Sequence, residues 1–411
     1  MKNKNPKLSI AIVLKGYPRL SETFIAQELK ELEKHQFELL IFSLRKPTDT
    51  TIHPIHKEIQ ANVNYLPEYI HSEPIRVIRA IWKLRRSGHI GNTIATWLKD
   101  LRRDFTRNRI RRLAQAFVMA AELPVYTERI YAHFMHTPGS VARYTSLLLV
   151  KPWGFSAHAK DIWTIPTWEK IEKLNSARFA VTCTQANLVH LNNLSEKSNV
   201  KRVYHGLDFA RFPDPGLQNS DKSGNQSNPV TILSVGRAVS KKGYPILLRA
   251  LAGLSSELHW KLIHIGGGKD SGVLQKLSRD LGIDNRISWQ GAQPQELVLQ
   301  AYRRSDIFVL ASVIDPNGDR DGLPNVLMEA QSQRLCCIAT SVSGIPELIR
   351  HDETGLLVES GSPEQLTICL DKAIRNPRIR NSLANAGFEH VRRNFSQDNE
   401  ISTLISLLER M

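Results

Sequence analysis

The sequence is poor in cysteine, has no long apolar run and is short of acidic residues. Its four cysteines are Cys183, Cys336, Cys337 and Cys369. An adjacent pair plus two scattered thiols makes neither a disulfide framework nor a metal-ligand spacing. They read as small buried hydrophobes in a reducing compartment. No stretch reaches the roughly 18 consecutive apolar residues that a transmembrane helix needs. The opening MKNKNPKLSIAIVLKG has an apolar segment too short for a signal-peptide core and lacks a small-residue cleavage site. The expected location is therefore the cytosol. Acidic residues number 40 against 55 Lys and Arg, a formal charge of +15. Such a surplus favours an anionic partner: nucleic acid, anionic lipid or a phosphorylated substrate. What remains is ordinary for a globular chain of 411 residues, with 41% apolar and 23% charged positions, a length that suits two domains.

Short apolar runs alternate with helical patterns. Leu8–Leu14, Leu39–Leu44, Ile130–Phe134, Phe155–His158 and Phe179–Cys183 read as strands of a first unit. Ser21 is a candidate cap for the helix that follows the first strand. The stretch FPDPGLQNSDKSGNQSNP, 212–229, is nearly free of apolar residues and reads as a linker. The alternation then restarts, with strands at Val230–Val235, Trp260–Ile265, Arg286–Trp289, Asp306–Ala311, Cys337–Thr340 and Leu356–Val358. Ile401, Leu404, Ile405 and Leu408 give a last helix its apolar stripe, with Ser396 as a plausible cap. Strands separated by helices imply βαβ units, hence an α/β chain with two doubly wound parallel sheets. The expected boundaries are 1–211, a linker 212–229, 230–394, and a closing helix 395–411. Ligands of such sheets bind at the carboxyl ends of the strands, so chemistry is sought in the strand-to-helix loops.

Three loops of the second half stand out. Gly236-Arg237-Ala-Val-Ser-Lys-Lys242-Gly243 follows a strand. Its Arg can fork onto phosphate oxygens and its Lys adds a compact charge. Gly266-Gly267-Gly268 ends the next strand and suits either a backbone nest around an anion or a plain tight turn. In Asp321-Gly322-Leu323-Pro324-Asn325-Val326-Leu327-Met328-Glu329, Pro324 suits a helix's first turn, whose free N–H groups near Gly322 and Leu323 can take an anion. At about 1.5 Å per residue, Asp321 and Glu329 would lie roughly 12 Å apart along the axis. Glu347 begins another such helix. In the first half, His158 in SAHAKD follows a strand. Lys15-Gly16-Tyr17-Pro18-Arg19-Leu20-Ser21 fills the first strand-to-helix loop, and His133 and His136 follow another strand without a carboxylate or Cys cluster that would make them metal ligands.

In order, GRAVSKKG, IGGG, DGLPNVLMEA, SVSGIPELI and TGLLV, with YPRLSETFIAQEL and FSAHAKDIW before them, resemble the retaining nucleotide-sugar glycosyltransferases of family 4, the "group 1" glycosyltransferases. Within that family the chain looks most like enzymes of exopolysaccharide assembly of the colanic-acid type. The resemblance implies the GT-B fold, two Rossmann-like domains facing across a cleft. It implies a UDP- or GDP-linked sugar as donor substrate, with neither a further cofactor nor a metal, and a glycan acceptor, plausibly lipid-linked. By the same resemblance Arg237 and Lys242 are the basic pair on the donor diphosphate. Glu329 grips the ribose, and Asp321 contacts the donor sugar. Gly322 and Leu323 offer backbone donors to phosphate, and His158 lies near the transferred sugar. Gly16 sits in the loop that closes on the ligands, and Gly236, Gly266 and Gly267 line the donor. The catalytic set so implied is Arg237, Lys242, His158 and Asp321. Four departures are visible: Asp321 where the first acid is usually Glu, Arg334 for a glycine, Cys336 for a proline and Ser341 for an aspartate. Two alternatives stay open, a non-catalytic GT-B partner in glycan assembly and a GT-B sugar-nucleotide epimerase.

The excess charge concentrates in residues 74–115, where twelve cations run from Arg76 to Arg112 against only Asp100 and Asp104. Isoleucines and tryptophans interleave with them at roughly helical spacing. Basic amphipathic helices of this kind suit docking on an anionic membrane surface at the cytoplasmic face. No nucleic-acid-binding module is present.

Overall fold

The computed structural model describes residues 8–19, 22–47, 54–197, 199–217 and 220–411, with backbone alone at 398 and 399. Ser21 lies outside the described residues. The chain divides into two compact units. The first runs to Cys183, takes in Asn187–Val203 and is completed by Ile401–Met411, while the second comprises Thr184–Ala186 and Tyr204–Glu400.

The first unit holds β1 (Leu8–Leu14), β2 (Phe37–Ser43), β3 (Asn62–Tyr65), β4 (Arg129–His133), β5 (Trp153–Ala157), β6 (Phe179–Thr182) and β7 (Val200–Arg202). They form one seven-stranded sheet in the order β3-β2-β1-β4-β5-β6-β7, each pair parallel. Side chains of β1 alternate between its two faces. Ile10, Ile12 and Leu14 pack with Leu29, Leu32 and Ile41, while Ala11 and Val13 pack with Phe42, Val118, Tyr144 and Phe155. Both faces are therefore covered, which is what makes parallel strands read as continuous apolar runs. The Gln397–Glu409 helix puts Ile401, Leu404, Ile405 and Leu408 into the Ile10 cluster, so the apolar stripe read from the sequence is its buried face.

The second unit holds β8 (Val230–Val235), β9 (Trp260–Ile265), β10 (Ile287–Trp289), β11 (Ile307–Leu310), β12 (Cys336–Thr340) and β13 (Leu356–Val358). Their order is β10-β9-β8-β11-β12-β13, again all parallel. Ile232 and Val309 face one cluster, Leu233, Phe308 and Leu310 the other. Cys336, Cys337 and Cys369 are buried thiols of these clusters, and burial pushes the Cys336 thiol up to about 12. The chain passes into this unit at Tyr204, upstream of the boundary at 211 read from composition. The polar segment that follows is held by main-chain contacts. The Arg380 guanidinium donates to the carbonyls of Ser220 and Lys222, and the Gly224 carbonyl accepts the His259 N–H at 2.7 Å.

Candidate functional site

In the second sheet the strand order reverses at β8, so β8 and β11 flank a switch point where crossovers diverge to opposite faces. The loop Gly236–Gly243 leaves β8 and the loop ending in Asp321–Pro324 leaves β11, so both open on that point. The neighbouring loop Gly266–Gly268 leaves β9. The three are locked together by main chain. Gly236 N–H donates to the Ile265 carbonyl, Ala238 N–H to the Gly267 carbonyl and Asp270 N–H to the Ala238 carbonyl. A Cβ on Gly266 would lie 2.0 Å from the Gly236 carbonyl oxygen, and one on Gly243, at φ +62°, 1.8 Å from that of Ala311. These glycines are required by close backbone approach and, at Gly243, by a left-handed conformation. A Cβ on Gly267 would meet nothing within 4 Å.

Arg237 is exposed and carries no ion pair among the described residues. Lys242 is partnered: its Nζ lies 2.8 Å from Asp321 Oδ2, which also accepts from Ser312 Oγ at 2.6 Å. Lys241 Nζ stands 3.8 Å from Asp321 Oδ1 and 3.1 Å from Asp319. Burial opposes charge on Asp321, but Lys242, Lys241 and the Ser312 hydroxyl outweigh it and hold the carboxyl below the usual range. Its carboxylate is thus committed to two lysines and a serine. The Asn325–Ser332 helix starts after Pro324, whose ψ of 119° is non-helical. Asp321, Gly322 and Leu323 therefore precede the helix, and the 12 Å span argued from helical rise does not apply to Asp321 and Glu329. In the first turn of that helix Leu327 N–H bonds to the Pro324 carbonyl at 3.0 Å, which leaves the Asn325 and Val326 N–H groups without an intrahelical acceptor. Glu329 accepts from Tyr302 Oη at 2.9 Å, and burial raises its carboxyl pKa despite that bond. Glu347 is engaged by the Gln185 N–H at 2.7 Å and by Tyr204 Oη at 2.7 Å.

Arg334 explains itself. The helix ends in a Schellman motif, with Arg334 N–H on the Gln331 carbonyl and Leu335 N–H on that of Ala330. Arg334 takes the left-handed position at φ +58° that glycine normally fills. Its guanidinium stacks 3.5 Å from the Phe388 ring centre and donates to Asn385 at 2.9 Å.

In the first unit the corresponding switch point lies between β1 and β4. Gly16 follows β1 and is buried, its Cα facing the Arg19 and Arg45 side chains. His158 follows β5. Its ring packs between Phe24 and Phe134, with centroids 5.0 and 4.6 Å away. The His158 backbone N–H donates to Asp161 at 2.9 Å, and Asp161 also accepts from the Met135 backbone N–H. His133 and His136 do not converge: His133 lies 3.0 Å from Glu28 and His136 3.1 Å from the Arg112 guanidinium. Sequence reasoning missed Tyr302 and Ser312, which fix Glu329 and Asp321. It had no local signal for either, whereas Lys241 stood in plain view beside Lys242.

Residues 217–390 match the family model of glycosyl transferases group 1. The chain is 29% identical over 228 residues to the amylovoran biosynthesis glycosyltransferase AmsK of Erwinia amylovora, covering 55% of this chain and 54% of that protein. It spans about half the length of the first curated relatives it matches. It is 22% identical to the putative colanic acid biosynthesis glycosyltransferase WcaL of Escherichia coli K12, over 87% of this chain and 89% of WcaL. Among solved structures, Anabaena Alr3699/HepE in complex with UDP and glucose superposes with a TM-score of 0.71 at 15% identity, over 98% of this chain and all of that one. Sucrose-phosphate synthase from Thermosynechococcus elongatus superposes at 0.74 and 16% identity, over 98% and 99%. The fold is GT-B, and the likeness to group 1 glycosyl transferases lies in residues 217–390.

Proposed function

We propose that the protein is a retaining, metal-independent glycosyltransferase of family 4 that moves a sugar from a UDP- or GDP-linked donor to a glycan acceptor. The acceptor is lipid-linked, and the pathway is assembly of an exopolysaccharide or related cell-surface glycan. The observation that carries this reading is the β8–β11 switch point, where the open cation Arg237, the fixed Lys242 and a helix start meet. Breaking the bond from the anomeric carbon to the diphosphate oxygen leaves negative charge on that oxygen. Arg237, Lys242 and the helix N–H groups stabilise it from positions fixed before the reaction. An ammonium has three N–H donors; Asp321 takes one and leaves the others for the diphosphate. Asp321 thus acts as a positioning residue for Lys242. Glu329, oriented by Tyr302, holds the ribose hydroxyls. The acceptor oxygen bonds to the anomeric carbon on the face the diphosphate leaves, and its proton passes to the departing phosphate. His158 lies on the sugar side, and Gly16 in the loop that closes over the ligands.

Thermal shift with UDP, GDP and ADP and their sugar conjugates, with and without EDTA, tests the proposal. One diphosphate series should raise Tm, with EDTA making no difference. A shift that EDTA abolishes overturns metal independence, and no shift with any nucleotide overturns the donor site.

A further inference from the structure

The twelve cations of 74–115 do not act as one surface. Acids from elsewhere in the chain answer many of them. Glu122 takes the Arg76 guanidinium through two bonds at 2.7 and 2.6 Å. Glu172 takes Lys99 and Arg103, at 2.7 and 3.1 Å. Glu169 takes Arg109 and Arg112 inside the unit. Among the described residues Arg79, Arg85, Arg86, Arg102 and Arg107 are exposed with no acidic partner, and the first three lie on or directly after the Pro74–Leu84 helix.

That helix is anchored on its inner side by Val77 and Ala80, both in the core, by Arg76 on Glu122 and by Lys83 on the Ala121 carbonyl. At about 100° per residue, Ile75, Ile78 and Trp82 fall on the opposite side. A surface helix normally shows polar residues there. Here all three are 64% exposed, with Ile81 beside them at 44%. Arg79 rises from the same face, and Arg85 and Arg86 follow at the helix end. All three arginines are exposed, and none has an ion pair among the described residues. The Arg85 guanidinium lies 3.6 Å from the Trp82 ring centre and bonds to its carbonyl, holding the indole outward.

We propose that this face is a docking ridge for an anionic lipid bilayer. An exposed apolar patch marks a binding surface, and the charges choose the occupant. The core of a protein interface is depleted of charged residues, whereas this ridge interleaves isoleucine and tryptophan with arginines that lack counter-ions. A bilayer interface accepts that mixture: apolar side chains enter the acyl boundary while arginines reach anionic headgroups. The inference does not depend on the donor site and extends the membrane-side acceptor reading.

The test is flotation of the full-length protein with vesicles of phosphatidylcholine alone or mixed with phosphatidylglycerol. The protein should bind the mixed vesicles, less so as salt rises, and the neutral ones weakly. The Arg79→Glu/Arg86→Glu variant should lose at least about 30-fold in partitioning, from roughly 1 kcal/mol for each of two lost cations. Ile78→Ser/Trp82→Ser should lose binding to both kinds of vesicle. Trp82→Phe should keep binding but lose part of the tryptophan quenching by brominated lipid. Unchanged thermal shifts with nucleotide would show that the variants are folded and separate this result from failure of the donor site. Wild-type partitioning in both double variants overturns the proposal. So does a concentration-dependent dimer, seen by ultracentrifugation, that the same variants abolish without any effect of vesicles; that would give the ridge to a second copy of the chain.

Discussion

In the first unit Glu169 gathers Arg109, Arg112 and Lys173 inside the protein, with its own side chain 3% exposed. In the second unit Asp321 also gathers cations, but Lys242 stands at the edge of the sheet, and Arg237 beside it is left open. Both are carboxylates surrounded by positive charge. The first has every partner buried and no room for a ligand, so it is a fastening. The second ends at a strand's carboxyl edge with cationic capacity to spare. Counting cations along the sequence cannot separate the two; how far the cations themselves reach the surface can.

That contrast sets the size of the effects. Glu169→Ala should be the most damaging change. It leaves Arg112 and Lys173 buried without an acid and Arg109 with Asp104 alone, and losing one partner of a buried ion pair costs about 3–5 kcal/mol. Urea unfolding should show the loss; a cost below about 1 kcal/mol would break the distinction between the two clusters. Arg237→Ala should do the reverse, with stability changed by less than about 0.5 kcal/mol and affinity for the nucleoside diphosphate lowered about ten- to hundred-fold, as for one charge-assisted bond. Calorimetry of unfolding and of binding on the same sample reads both. If the two variants behave alike, the comparison fails.

A finer test lies inside the first unit. Burial pushes the Asp161 carboxyl up to about 7, although the N–H groups of His158 and Met135 work against it. Its folded-state pKa is above the unfolded value of about 3.9, so its contribution to stability is complete below that value and is lost as pH rises through 7. Glu169 runs the other way. Burial opposes its charge, but Lys173, Arg109 and Arg112 hold it far below the usual range, so its contribution is present above about pH 4 and lost in acid. The stability advantage of wild type over Asp161→Asn should therefore shrink between pH 4 and 8, followed by thermal melts. An advantage that grows with pH would reverse the assignment.

Much of this was legible in the sequence. Runs such as LSIAIVL and VTILSV give β1 and β8 because a parallel strand covered on both faces is apolar throughout. β3 and β7 were not foreseen. They are the two edge strands of the first sheet, short and polar, NVNY and VKR, and edge strands avoid the apolar runs that make central ones readable. The polar stretch after Phe212 read as a linker because composition cannot show that Arg380, far along the chain, binds its carbonyls. The motif loops were visible through their glycines and cations. The pairing of Lys242 with Asp321 was not, since no local pattern connects residues so distant, nor was the answer of Glu122, Glu169 and Glu172 to the basic run. Arg334 was visible only as an oddity until its left-handed backbone and its stack on Phe388 gave the reason.

The interlocked loops after β8 and β9 carry one more implication, for how such a site diversifies. Their course is set by carbonyls and amides meeting where glycines have no side chain to intervene. Residues 237 and 239 therefore ride on a frame that their own identity does not shape. Evolution, or a designer, can exchange those side chains to suit a different ligand without redrawing the loop, whereas a single methyl group at position 243 or 266 would force the frame itself apart.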